Sequence, residues 1–354
     1  MADQTKAHPE LRHGTANLPA VTVDSYNVEL RDEEGFVGDR ANSQAFRTIL
    51  DEWRERLREV GDDPLGEEES QDVSRKKLDQ LLSKGEPEVA GLIHGAVEEF
   101  AQELAGVVRR FRRRKGWKTA ERIVVGGGMR QSRIGELAIG RATVLLKGDG
   151  ADVTLVPIRH HPDEAGLIGA VHLAPSWIFS GHDGIVAVDI GGSNIRAGIV
   201  LFHRKKAADL SEAAVWKFEL WPHRGEEPAP GRDDAVGRLA GMVEGLIGRA
   251  RKEKLTLAPF IGVGCPGLIE ADGSIAKGGQ NLPGNWESSR FNLPACLVEA
   301  IPEINGHDTM VLMHNDAVVQ GLSQVPFMQD VEGWGVLTIG TGLGNAYFTN
   351  RAAD

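Results

Sequence analysis

The segment Val186-Ala-Val-Asp-Ile-Gly-Gly-Ser-Asn-Ile-Arg-Ala-Gly-Ile-Val200 restricts the possible folds of this chain more than any other. An apolar run ends at Asp189, two glycines follow, and a second apolar run starts at Ile195. Two such runs joined by a short Gly/Asn turn read as a β-hairpin. The P-loop and the Rossmann fingerprint both need a helix straight after their glycines, so this segment is neither. Gly191 and Gly192 let the backbone turn tightly and bring N–H groups to an anion without interference from a Cβ. Ser193 and Asn194 add donors, and Asp189 is placed to hold a hydrated magnesium ion beside phosphates. Taken alone, an ordinary tight hairpin explains the same residues equally well.

Four further segments carry candidate chemistry. In LTIGTGLGN (337–345) a strand again meets a glycine-rich hairpin, with Gly340, Thr341, Gly342 and Gly344 at the turn. In VLMHNDAVVQGL (311–322) a strand runs into Asn315 and Asp316 and then a helix. Helix capping explains Asn-Asp there. A carboxylate between two phosphate turns would instead accept the proton of an attacking hydroxyl. The stretch 262–287 is too long and polar for a simple connection, and its Asn281 and Asn285 suit a polyol. In RIVVGGGMRQS (122–132), Gly126, Gly127 and Gly128 follow a strand and precede a helix, which invites close approach of a flat or charged group.

Periodicity fills in the remaining elements. Residues 21–31 read as a strand, Ser43 to about Val60 as a helix, and 61–75 as an acidic loop. Glu86 to about Arg114 is a long helix whose Val89, Leu92, Ile93, Val97, Phe100, Leu104, Val107 and Val108 form an apolar stripe. Strands are expected at 122–125, 153–157, 185–189, 195–202, 214–220, 260–265, 309–313 and 334–339, and helices at 132–147, 165–174 and 232–253. Strands alternating with helices place the chain in the α/β class with mixed sheets. Its 354 residues, 41% of them hydrophobic, suffice for two medium lobes or one large domain.

The net charge of −11 gives no global footprint for nucleic acid. The basic run Arg109–Lys115 reads as the solvated last turns of a helix. Cys265 and Cys296 are isolated, so no disulfide framework or CxxC metal motif exists, and a reducing, cytoplasmic setting fits. The polar first residues lack the apolar core of a signal peptide, and no run reaches the ~20 apolar residues of a membrane helix.

In order, DIGGSNIRAGIV, GCPGLIEADGSIAKGGQNLPGNWE, HNDAVVQGL and TIGTGLGNA resemble the motifs of the ROK family (repressors, open reading frames and sugar kinases). The resemblance implies a two-lobed actin-like, ribonuclease H-like ATPase fold. EVAGLIHGAVEEFAQELAGVVRRF, RIVVGGGM and VTLVPIRHHPDEAGLIGAVHLA are similar to the C-terminal part of such kinases, yet here they come first. Circular permutation explains that order. It divides the chain into a polar arm (1–20), a C-terminal-type lobe (21–162) and an N-terminal-type lobe (163–354) whose last strands (330–350) join the first lobe.

The resemblance implies an ATP- and Mg2+-dependent kinase acting on the 6-hydroxyl of glucose or a related hexose, with two lobes closing over a cleft. It makes Asp316 the base and gives Asn281 and Asn315 to the sugar. Residues 191–194 and 340–344 would take the phosphates, with magnesium near Asp189 through water, and Gly126 to Gly128 would flank adenosine. It is compatible with a homodimer, while the acidic charge and the lack of a long apolar run argue against a nucleic-acid or membrane partner. The family's Glu-x-Gly-His segment and cysteine-rich zinc motif have no counterpart in 21–60, so no zinc is expected, and Glu33 or Glu34 is the available acidic substitute. That gap motivates a kinase for a non-hexose acceptor; the family's repressor members supply a further alternative, a sugar-sensing regulator, although residues 1–50 are too short and irregular for the winged helix-turn-helix such repressors carry.

Overall fold

A computed structural model describes residues 12–351. The chain opens with β1 (Val21–Tyr26) and a small hairpin of β2 (Arg31–Asp32) and β3 (Gly35–Phe36). Helices α1 (Ser43–Arg58), α2 (Arg75–Lys84) and α3 (Pro87–Arg112) follow, then β4 (Arg122–Gly127), α4 (Arg133–Gly148), β5 (Thr154–Pro157) and α5 (Pro162–Gly169). Next come β6 (Gly184–Ile190), β7 (Ile195–Leu201), β8 (Ala214–Trp221), α6 (Arg232–Lys252) and β9 (Leu257–Cys265). A hairpin of β10 (Leu268–Ile269) and β11 (Ile275–Lys277), α7 (Leu293–Ala300), and a hairpin of β12 (Glu303–Ile304) and β13 (His307–Asp308) lead to β14 (Met310–Asn315). The chain finishes with α8 (Asp316–Leu322), β15 (Gly333–Ile339) and β16 (Leu343–Asn350).

The elements form two compact units. One comprises residues up to Pro19 with Gly166–Val319, and is here called the Asp189 unit; the other comprises Ala20–Ala165 with Gln320 onward, the Gly127 unit. The expected boundaries at 20/21, 162/163 and 330 are displaced to 19/20, 165/166 and 319/320. The last two switches fall in the middle of α5 and within α8, where composition does not change.

The Asp189 unit holds a five-stranded sheet in the order β14-β9-β6-β7-β8. Strands β14, β9 and β6 are parallel, and β6–β7 and β7–β8 are antiparallel. Strand β6 is buried along its whole length, as expected for a central strand covered on both faces. One face packs Val186, Val188 and Ile190 with Leu239, Val243 and Leu246 of α6. On the other, residues 166–173 lie almost on the backbone, because glycines clear the way. A Cβ at Gly198 would come 2.8 Å from Leu167, and one at Gly262 would come 2.9 Å from the Ala170 Cβ.

Residues 12–19, expected within a polar arm, are instead docked on β14. The Gly14 N–H donates to the Met313 carbonyl (3.0 Å), the Met313 N–H donates to His13 Nδ1 (3.1 Å), and Leu18 is buried. Residues 1–11 of that expected arm lie outside the described residues.

In the Gly127 unit the order is β1-β16-β15-β4-β5, with β15, β4 and β5 parallel and the other two pairs antiparallel. All eight residues of the α3 stripe named above are buried in its core. Helix α1 starts where the Asn42 side chain accepts the Ala45 N–H at 2.8 Å. The strand expected over 21–31 stops at Tyr26. A bulge between Val23 and Ser25 disturbs its register, and Asn27 turns to a left-handed φ of 49°.

The two sheets share one plan. Taken in chain order, the Asp189 sheet reads 3-2-1-4-5. The Gly127 sheet reads the same once its strands are counted from β15 through β16 and then β1, β4 and β5. The structure is therefore α/β with two mixed sheets. No helix among the described residues is long and apolar enough to cross a membrane.

Candidate active site

The parallel trio β6, β9 and β14 brings distant residues together. By register Asp189 lies beside Gly264, and Cys265 beside Asn315. Asp189, Cys265, Asn315 and Asp316 thus share the carboxyl ends of adjacent strands, where open α/β sheets bind ligands.

Asp189 is almost fully buried and tightly held. Arg196, its cross-strand partner on β7, donates from Nη1 to Oδ2 at 3.2 Å. A Cβ at Gly166 would lie 2.4 Å from the Asp189 Cγ and 2.5 Å from Oδ1. Glycine at 166 is what leaves room for the carboxylate.

Asp316 is half-buried at the first position of α8. Burial, and then the charge of Asp189, push its pKa up to about 7, against the pull of its own N–H, the Ala317 N–H and Asn315. The same surroundings raise the buried Cys265 thiol well above its usual value, through desolvation first and the two carboxylates second. Cys265 is a neutral packing group, not a nucleophile.

Asn315 supports its neighbour. Its Oδ1 accepts the N–H groups of Ala317 (3.0 Å) and Val318 (3.3 Å), and Nδ2 donates to the Gly267 carbonyl (3.0 Å). Both ends of the amide are engaged, so Asn315 caps α8 and aims Asp316. One Nδ2 proton is used by the Gly267 carbonyl, so the cap leaves the second for the sugar contact expected of Asn315. His314 fixes the strand end from below: Nδ1 accepts the Asn315 N–H (2.8 Å), which leaves Nε2 to donate to the Thr15 carbonyl (3.1 Å). Burial lowers its pKa to about 4, so it is neutral.

The turn 191–194 is half-buried and closed by the Gly191 N–H on the Asn194 carbonyl (2.9 Å). His223 Nε2 reaches the Gly191 carbonyl (2.9 Å), and the Arg224 N–H reaches that of Ser193 (3.3 Å). Neither Gly191 nor Gly192 takes a left-handed φ, so what they contribute is bare surface rather than unusual backbone. Asn281 is exposed on the loop after β11, and the Asn285 side chain accepts the Glu287 N–H.

In the Gly127 unit, β4 and β15 run parallel with Gly126 beside Thr338 and Gly127 beside Ile339. Turns 126–128 and 340–344 therefore sit at neighbouring strand ends. Gly127 has φ 87°, and a Cβ there would strike the Ile339 carbonyl oxygen at 2.2 Å, so only glycine fits. Arg75 Nη1 donates to the Gly128 carbonyl at 3.0 Å. Gly340 accepts from the Ser43 N–H and donates to the Gly342 carbonyl. Thr341 and Gly342 are exposed, Gly344 pairs with Thr338, and a Cβ on Gly342 would meet nothing. The fold does not require glycine at 342.

Glu33 and Glu34 are exposed in the Gly127 unit, with Glu34 paired to Arg40 at 2.8 Å. A cavity of about 940 Å³ in this unit is lined by Asp51, Glu55, Glu67 and Glu69 with Arg47 and Arg58. Its acids disfavour phosphate. Among the described residues no group of three or more His, Cys, Asp or Glu is placed to hold a metal ion. That does not disfavour Mg2+ at Asp189, because Mg2+ keeps several waters and needs one or two carboxylates plus substrate phosphates.

Sequence reading passed over Arg196, Gly166, His314 and His223. The register of a four-residue turn would have paired Asp189 with Arg196. Nothing local to Gly166 marks its contact with Asp189.

Among solved structures, the chain is similar to a ROK hexokinase from Thermus thermophilus, with 24% identity over 46% of this chain and 45% of that one and a TM-score of 0.31. It is also similar to a ROK family glucokinase from Streptomyces griseus, solved in complex with glucose and AMPPNP, with 19% identity over 48% and 47% of the two chains and a TM-score of 0.35. The chain thus spans about half the length of the solved structures it matches. No family model and no curated protein matches it.

Proposed function

We propose that this chain is an ATP-dependent sugar kinase of the ROK type, transferring the γ-phosphoryl group to the 6-hydroxyl of glucose or a related hexose. The observation that carries the reading is the convergence of Asp189 and Asp316 at the carboxyl ends of β6 and β14, the strands on either side of β9, with one acid held by Arg196 and the other poised near neutrality.

Asp316 takes the proton of the attacking hydroxyl as its oxygen bonds to the γ-phosphorus and ADP leaves. A general base works best with a pKa near the operating pH. Asn315 holds Asp316 in place by capping α8 and, with Asn281, orients the sugar. Residues Gly191 to Asn194 present N–H and hydroxyl donors to phosphate. Mg2+, held through water by Asp189, would neutralise phosphate charge. In the Gly127 unit, Gly340, Thr341, Gly342 and Gly344 serve phosphate, and Gly126 to Gly128 flank adenosine. The motif order, together with the shared 3-2-1-4-5 plan, supports a circularly permuted actin-like fold. The isolated thiols suit the cytoplasm.

A coupled ADP-release assay over a hexose and amino-hexose panel tests this. Wild type should turn over at least one sugar, and Asp316→Ala should lose activity by several orders of magnitude. Equal turnover in both removes Asp316 from the base role. ATP binding with no turnover on any sugar would favour the regulator or a different acceptor.

A further inference from the structure

Strand β8 ends its sheet, with β7 on one side and, among the described residues, no strand on the other. It is eight residues long, and two of the protein's exposed large hydrophobics, Phe218 (37% exposed) and Leu220 (41%), lie on one face of it. The register with β7 skips Trp216, since Ile199 faces Lys217 and Val200 faces Val215, so the ladder is regular from Lys217 onward. Long, exposed, partly apolar edges are templates for pairing with another strand.

Symmetry and charge select the partner. Two copies of β8 related by a two-fold axis perpendicular to the sheet must place residues of the same face opposite one another. Three registers keep the regular stretch paired. Centring on Lys217 sets Lys217 against its own copy, and centring on Glu219 does the same with Glu219. Like charges directly opposite are destabilising. Centring on Phe218 pairs Lys217 with Glu219 of the second copy, twice, and stacks Phe218 on its mate, while the bulged Trp216 stays packed on the α6 side. On the α6 face Arg249 already binds Glu219 at 2.6 Å, and Lys217 lies over its own Trp216 ring at 4.7 Å. The new contact therefore joins an existing charge network.

We infer that β8 is a self-complementary seam through which two copies of this chain pair antiparallel about Phe218, joining two five-stranded sheets into one of ten.

Sedimentation velocity over a wide concentration range is the test, with melting curves to confirm folding. Wild type should self-associate. Lys217→Glu, which turns both attractive pairs repulsive, should weaken association roughly ten-fold. Phe218→Lys, which sets two ammonium groups at the axis, should abolish it. Mixing Lys217→Glu with Glu219→Lys should restore association, because every cross-pair is again of opposite sign. Monomer throughout for wild type overturns the inference, as does association that Lys217→Glu and Phe218→Lys leave unchanged. The first two variants decide the matter even if Glu219→Lys, which also loses Arg249, folds poorly. None of these variants touches the proposed kinase residues, so sugar turnover is an independent readout.

Discussion

Replacing Asp316 with Asn should stabilise this protein at alkaline pH while removing its activity. The carboxyl titrates near 3.8 when unfolded and at about 7 when folded. Below pH 4 both states are protonated and the residue costs nothing. Between pH 4 and 7 the unfolded chain releases the proton and the folded one keeps it, so stability falls as pH rises. Above 7 the full cost is present. Raising a carboxyl from 3.8 to about 7 is worth roughly 4 kcal/mol, at about 1.4 kcal/mol per pH unit. Asp316 keeps some solvent access, which lowers the expected figure to roughly 2 to 4 kcal/mol. Asn stays neutral and escapes the cost. Nucleotide-free denaturant titrations of wild type and the Asp316→Asn variant, from pH 4 to 9, give the difference directly, and other titrating groups cancel in it. The two stabilities should coincide near pH 4, diverge with the variant the more stable, and run parallel above about 7. Curves that stay parallel over the whole range, or wild type the more stable at pH 8, would refute the claim that burial and Asp189 load this carboxyl.

Gly166→Ala puts a methyl 2.4 Å from the Asp189 Cγ, so the carboxylate must move by about 1 Å. Steady-state kinetics should show kcat down on the order of 100-fold with sugar KM little changed, and an unchanged kcat would detach Asp189 from the chemistry. Gly342→Ala meets no atom, so its melting temperature should match wild type while the KM for ATP rises roughly ten-fold through interference with phosphate. Asn315→Ala removes the α8 cap and leaves the Gly267 carbonyl without its amide donor. Denaturant unfolding should show a loss of roughly 1 to 3 kcal/mol, with kcat falling as Asp316 loses its bearing.

Much of this architecture was readable from the chain because its elements carry strong local signals. Strand β6 is a continuous apolar run, the α3 stripe keeps helical spacing over many turns, and the turns at 191–194 and 340–344 are flanked on both sides by strand-like residues. What stayed hidden depends on residues far apart in sequence. The docking of residues 13–15 on β14, the seat that Gly166 makes for Asp189, and the engagement of both ends of Asn315 are tertiary contacts with no periodicity to announce them. Asn315 shows the difference most clearly. Its residue type fits both a sugar contact and a cap, and only the location of the Gly267 carbonyl and the α8 N–H groups reveals the cap.

The strand orders explain why the motifs remained legible in an unfamiliar arrangement. In the Asp189 sheet the chain passes from its second strand, β7, to its third, β8, through residues 202–213. In the Gly127 sheet the second and third strands of the same plan are β16 and β1, one late in the sequence and one early. These two are nonetheless direct neighbours: Asn350 faces Val21, and the Arg351 N–H donates to the Ala20 carbonyl at 3.0 Å. A rearrangement that opened the chain between them would leave every hydrogen-bonded ladder in place. It would also leave each glycine-rich motif whole, since 126–128 and 340–344 lie at the far ends of β4 and β15 from that point in the sheet plan. Each motif is a contiguous strand and its turn, so its local signal does not depend on where the sheet is cut. The order of the motifs along the sequence is the one property that such a cut alters, and a cut of that kind accounts for the order in this chain without any change to the motifs themselves.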